Sequence, residues 1–197
     1  MQGELAALGA AFLWALATVI FGRLGKVLPP LVLNLTKGTI AVLLLGLTVL
    51  LLRLAPAGID RTTLSLLLPS GFIGIGAGDT AYFASLNHLG PRRALLMESL
   101  APPMAALIAL AFLGETLTLW SWVGMVLTLL GVAWVISERV PQPSGGATDE
   151  IHYVGLGLGL LAAIGQAIGA VLSRAALANT EVDPLWSTLL RLMAGLI

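Results

Sequence analysis

No cysteine occurs among the 197 residues. That absence excludes a disulfide framework, a thiolate metal site and a cysteine nucleophile. Charge is also scarce, at 10% of residues, where soluble domains carry about 25%. Ten basic and ten acidic side chains cancel to a net charge of +0. No basic surplus points to nucleic acid, and no polybasic tail points to anionic lipid. The two histidines, His88 and His152, fall in expected loops without metal-ligand spacing. Neither a metal nor a cofactor is expected. Residues 1–4 lack Lys and Arg, and the apolar run behind them is too long for a cleavable signal peptide.

Hydrophobic residues make up 58% of the chain. A soluble fold of this length cannot hide so much apolar surface, whereas a lipid bilayer can accept it. Crossing a bilayer core takes roughly 20 apolar residues in a helix. Seven segments approach that length: 5–22, 31–52, 64–86, 94–113, 120–137, 153–173 and a run that opens at 184. Four of them carry a single charge each, at Lys37, Asp79, Glu98 and Arg191. The sequence therefore predicts an all-α, polytopic transmembrane helix bundle with the lipid bilayer as its partner. The last run is still apolar at Ile197. A helix that stops inside hydrocarbon leaves carbonyls unpaired, so the natural protein is expected to continue beyond this point. Turn chemistry marks the connections at Pro29-Pro30, residues 55–58, Gly90-Pro91 and Gly114-Glu115. The stretch 138–150, ERVPQPSGGATDE, is rich in Pro, Gly and charge and is expected to link two halves.

The segment after that linker resembles the start of the chain. Gly3, Leu8, Ala10, Ala11, Ala15 and Val19 fall on Gly155, Leu160, Ala162, Ala163, Ala167 and Val171. In the next helix, Lys37 follows Pro30 by the same seven-residue interval as Arg191 follows Pro184. A first copy of five spans is an odd number, so the second copy enters the membrane inverted. Inverted repeats characterise secondary transporters, whose site lies at the repeat interface near the midplane.

LGETLTLWSWVGMVLTLLGVAWVI, residues 113–136, has a short Gly-Glu turn and then a helix with spaced glycines. It resembles the hallmark of EamA-type members of the drug/metabolite transporter superfamily. SLAPPMAALIALAFLGE, residues 99–115, resembles the preceding helix of the same unit, with proline in mid-span. The resemblance implies two inverted five-helix repeats: the first over 3–137, the linker over 138–150, and the start of the second over 151–197. It further implies a carrier of the bacterial inner membrane that moves small metabolites or drug-like solutes, often outward, by alternating access. Drive from an ion gradient, protons included, or from exchange is the default, because no nucleotide-binding motif is present. The small multidrug transporters carry a glutamate in their first helix. Here Trp14-Ala15 stands in that region, so that proton-coupling role is not carried over.

Glu98 is the sharpest candidate for a site residue. A carboxylate inside a span costs roughly 2.5–3.5 kcal/mol or more. Pro102 and Pro103 supply no N–H to the carbonyls of Glu98 and Ser99, which predicts a kink, and Ala105, Ala106 and Ala109 continue the face as a cavity wall. The plainer readings are snorkelling or a structural ion pair. Asp79 follows Gly71, Gly74 and Gly78, whose spacing suits close helix packing. With Tyr82 it either faces the central cavity or bonds a neighbouring helix. Lys37 and Arg191 either counter these acids, bind an anionic substrate, or snorkel, as long cationic stems permit. Trp14 and Gln166 align across the repeats and suit a binding site, though Trp14 serves equally as an ordinary packed residue. Trp120, Trp122 and Tyr153 suit interfacial anchoring.

Two further patterns compete. Asn34-Leu35-Thr36 fits the glycosylation triplet but lies within a span. Gly76-Ala77-Gly78-Asp79 matches the motif of intramembrane aspartyl proteases, which need a second carboxylate to share a proton. Asp60, Asp149 and Asp183 all fall in expected loops. The chain is therefore read as a carrier and not as an enzyme, with the protease and a non-transporting scaffold as alternatives. The positive-inside count sets five cations in the first, third and fifth loops against three in the second and sixth. That count favours an external N-terminus. The family resemblance implies a cytoplasmic one, and we follow the resemblance.

Overall fold

The computed structural model describes residues 2–114, 116–137, 153–178 and 180–197. The linker 138–150, with Asp149, lies outside the described residues, as do Glu115 and His152. The described chain is helical: α1 Gln2–Leu24, α2 Pro30–Leu51, α3 Arg61–Gly71, α4 Asp79–Glu98, α5 Ala101–Phe112, α6 Leu119–Ser137, α7 Tyr153–Leu177 and α8 Pro184–Ala194. A π-helical segment, Phe72–Gly78, joins α3 to α4 without a break. Among the described residues, Gly3–Leu24, Pro30–Leu51, Arg61–Glu98 and Tyr153–Leu177 are long and apolar enough to cross a membrane. Ala101–Phe112 and Leu119–Val135 are shorter apolar helices. The molecule is a multi-pass integral membrane bundle.

Helix starts follow the local chemistry. Pro30 and Pro184 occupy the first turns of α2 and α8, where a missing N–H costs nothing. Asp60 caps α3 by accepting from the Thr63 amide at 2.7 Å, and Asp183 caps α8 by accepting from the Leu185 amide at 2.8 Å. Hydrogen bonds from the Thr63 side chain and backbone hold the Asp60 carboxyl below its ordinary value. This cap is therefore fully stabilising above that ordinary value and is lost as pH falls through the lowered one.

Gly58, Gly90 and Gly114 take positive φ at three of the expected turns. Gly90, at φ 76 and ψ 169, divides α4 into arms 79–89 and 91–98. Consequently the third span runs from 61 to 89 and the fourth begins at Pro91. His88 sits in the last turn of the first arm rather than in a loop, because the helix persists until glycine reverses the chain. Nothing lies within 4 Å of where a Gly90 Cβ would stand. The backbone conformation alone therefore sets the penalty for a side chain, about 1–3 kcal/mol in this region of φ/ψ space. Gly90→Ala is expected to lose that much stability in micellar unfolding; unchanged stability would show that the turn relaxes.

Helix α7 is the axis of the bundle. It packs against α3, the π segment, α4 and α5. Its partners approach through glycine. A Cβ on Gly169 would stand 2.9 Å from the Ser70 oxygen and 3.0 Å from the Gly74 Cα. The serines of the facing helices complete the seam, Ser70 donating to the Gly169 carbonyl at 2.7 Å and Ser85 to the Gly155 carbonyl at 2.9 Å. Close backbone approach with hydroxyl bonds across it is how helices associate where lipid offers no hydrophobic drive. Helix α8 docks on α3 and α2, and the Trp186 indole ties it to the Leu54 carbonyl at 3.1 Å. Around this centre the apolar side chains of α1 and α6 point outward, Phe12 at 70% and Leu127 at 63% exposure. Trp120, Trp122 and Tyr153 are also exposed.

Candidate functional site

The charges that interrupt the spans converge. Asp79 opens α4 directly after the π segment and is buried, at 5% exposure. Lys37 reaches it from α2 as an ion pair, and the Gln166 amide donates to its other oxygen from α7 at 2.5 Å. Arg191 of α8 faces the same carboxylate electrostatically, and its Nε is buried without a hydrogen-bond partner. Lys37 thus turns inward and does not snorkel. The Asp79 carboxylate draws it in, and two rings support it: its ammonium lies 5.3 Å from the Phe83 ring centre and 6.0 Å from that of Trp14, where cation–π attraction acts.

Glu98 ends α4 and accepts from the Trp14 indole at 2.9 Å. Trp14 stacks on Tyr82 with ring centres 6.0 Å apart. The Tyr82 hydroxyl and the Thr18 hydroxyl share a hydrogen bond of 3.0 Å, and Thr18 also donates to the Trp14 carbonyl at 2.9 Å. All seven side chains singled out from the sequence, Glu98, Asp79, Tyr82, Trp14, Gln166, Lys37 and Arg191, therefore belong to one polar cluster. It is built by α1, α2, α4, α7 and α8. The positions that align between the two halves play matching parts. Trp14 and Gln166 each donate N–H to an acid, the half-buried Glu98 and the buried Asp79, and Lys37 and Arg191 both act on Asp79.

Pro102 and Pro103 lie in the first turn of α5. α4 stops at Glu98 and α5 starts at Ala101, with Ser99 and Leu100 between them as a tighter turn. The alanine face of α5, with Pro102, does line a cavity, of about 320 Å³, but its other walls are Leu117, Ala170, Val171 and Arg174. Glu98 itself points the other way, toward α1.

Two polar residues escaped the sequence reading. Thr18 lies one turn after Trp14, and Asn34 lies three residues before Lys37. Such spacing puts each on the face of its site neighbour, which was the available signal. The glycosylation pattern at Asn34 obscured it. The glycines before Asp79 are explained by packing: a Gly78 Cβ would sit 3.2 Å from the Ile73 carbonyl oxygen, and a Gly76 Cβ 3.3 Å from the carbonyl oxygen of Gly195, the residue that follows α8.

Residues 1–137 match the EamA-like transporter family. The chain belongs to that family. No curated protein and no solved structure matches it. For this EamA-like chain, membership means a membrane transporter of the drug/metabolite type. The matched residues contribute Trp14, Lys37, Asp79, Tyr82 and Glu98 to the cluster. Among the described residues, Asp79 is bonded to an ammonium and an amide, not to a second carboxylate. Asp60 and Asp183 are committed to helix caps.

Proposed function

We propose that this EamA-like chain is a secondary transporter that moves small metabolites or drug-like solutes outward across the bacterial inner membrane by alternating access. The observation that carries this reading is the polar cluster itself. Ionisable groups inside apolar helices are expensive and mark solute and ion routes. Here two acids and two cations meet within otherwise apolar spans. Asp79, Lys37, Gln166 and Arg191 form the solute- or ion-binding part, and Glu98 with Trp14 and Tyr82 lines its α1 side. Pro102 and Pro103 provide the kink at which the fourth span bends. Two inverted five-helix units, 3–137 and one that opens at 151, rock about this site, driven by protons or by exchange.

Proteoliposomes loaded with labelled amino acids, sugars and organic cations, ethidium among them, test the reading under an imposed pH gradient. Glu98→Gln keeps the shape of the acid but removes its charge. A hydrogen bond to a charged group contributes about 1.5–3 kcal/mol, so transport is expected to fall roughly tenfold or more while the protein stays folded. Full transport by Glu98→Gln with an unaltered pH profile would remove Glu98 from the route. Cleavage of a single-span peptide, lost on Asp79→Ala, would favour protease chemistry instead.

A further inference from the structure

Asp79 owes its position to the backbone ahead of it. Pro69 withdraws one N–H inside α3, and residues 72–78 then wind with the wider π spacing before α4 begins. A change from i→i+5 to i→i+4 pairing passes over a carbonyl. Within a membrane there is no water to satisfy it.

The side chain that satisfies carbonyls at this junction comes from another helix. The Asn34 amide of α2 donates to the Ile75 carbonyl at 2.8 Å and to the Gly76 carbonyl at 3.0 Å. It also lies 3.0 Å from the Thr80 hydroxyl, which in turn donates to the Gly76 carbonyl at 2.6 Å. Asn34 is buried, at 3% exposure, and its own carbonyl oxygen has no partner. Turning the amide over would bring that oxygen against two backbone carbonyls. The fold thus accepts one orphaned acceptor in order to keep both donors on the junction.

We propose that Asn34 is a positioning residue, whose amide holds the π segment in the winding that points Asp79 at Lys37 and Gln166. Each residue of an α-helix advances its side chain by roughly 100°, so rewinding the segment by one residue turns Asp79 out of its present cage. α2 then delivers two functions from one face: Lys37 pairs with Asp79, and Asn34, a turn earlier, fixes the backbone that carries it. Lys37 from α2, Arg191 from α8, and Glu98 and Tyr82 from α4 itself are the charged and titratable groups that face Asp79. None of them contacts the junction carbonyls in the way Asn34 does.

This inference rests on reading Asp79 as part of the transport site, but its test does not require a known solute. Dicyclohexylcarbodiimide, a membrane-permeant reagent for embedded carboxyls, is applied to the full chain in liposomes. Adducts at Asp79 and Glu98 are quantified by peptide mass spectrometry, with Asp79→Asn as the blank. An acid held by an ammonium and an amide reacts slowly. Asn34→Leu is expected to speed labelling of Asp79 about tenfold, the factor implied by loss of two hydrogen bonds to the junction. Labelling of Glu98 should stay at the wild-type rate, and Asn34→Gln, which keeps the donor, should restore slow labelling of Asp79. Where Asn34→Leu does not fold, Thr80→Val is used, with the same expectation in direction. Wild-type labelling of Asp79 overturns the proposal. An equal rise at Asp79 and Glu98 overturns it too, because that is general loosening. Full transport by Asp79→Asn would instead remove the transport reading of the site and leave the labelling result standing as a statement about the backbone.

Discussion

Lys37→Met is expected to destabilise the bundle by about 3 kcal/mol, the lower end of the 3–5 kcal/mol seen when one member of a buried ion pair is removed. The argument rests on what remains. Asp79 is buried with Gln166 donating to one oxygen, and an unpaired carboxylate there has exchanged water for too little. Arg191 faces the same group, which is why the lower end applies. Adding Asp79→Asn to Lys37→Met removes the stranded charge but keeps a partner for Gln166. The double variant should therefore recover at least half of the lost stability. Denaturant titration of all four species in micelles gives the coupling directly. A double variant less stable than Lys37→Met would mean that the carboxylate is not the source of the loss.

Gly71→Ala carries the second large effect. A Cβ on Gly71 would stand 2.1 Å from the Arg191 carbonyl oxygen and 2.7 Å from its Cα. Backbone atoms of a docked helix cannot turn aside as a side-chain end can, so α8 must move off α3. Overpacking typically costs 1–3 kcal/mol, and sometimes more; here about 3 kcal/mol is expected. The displacement carries Arg191 away from Asp79, so transport should fall as well. Gly46→Ala is the control. A Cβ there would meet nothing within 4 Å, on a half-exposed position of α2, and the variant should gain up to about 1 kcal/mol from helix propensity. Limited proteolysis of α8 separates the two outcomes. A resistant α8 in Gly71→Ala would show that the α3–α8 contact is softer than its geometry implies.

The spans were legible because apolar runs and isolated charges are local properties of the chain. The turns at Gly58, Gly90 and Gly114 were legible for the same reason, since each needs a residue that accepts positive φ. Which charge meets which was not legible. Lys37 finds Asp79 across 42 positions, and Trp14 finds Glu98 across 84. Those pairings are fixed by how α1, α2 and α7 lie around α4, and no spacing rule reaches that far. The snorkelling reading of Lys37 was reasonable for an isolated helix. It fails here because the Asp79 carboxylate draws the ammonium inward, and Phe83 and Trp14 form a wall that it lies against. The π winding was hidden for another reason: Pro69 and the glycines after it signal weak α-helix, not the form that replaces it.

Lys37 and Arg191 together bring two positive charges to the cluster, and Asp79 and Glu98 bring two negative ones. A group of formal charge zero does no net work when it shifts across a transmembrane voltage, whereas one elementary charge does about 2.3 kcal/mol per 100 mV. With all four groups ionised, this cluster should therefore add no capacitive current of its own when the empty site reorients. Protonating either acid would leave the cluster one positive charge, and a voltage-dependent current from the empty site would report that protonation.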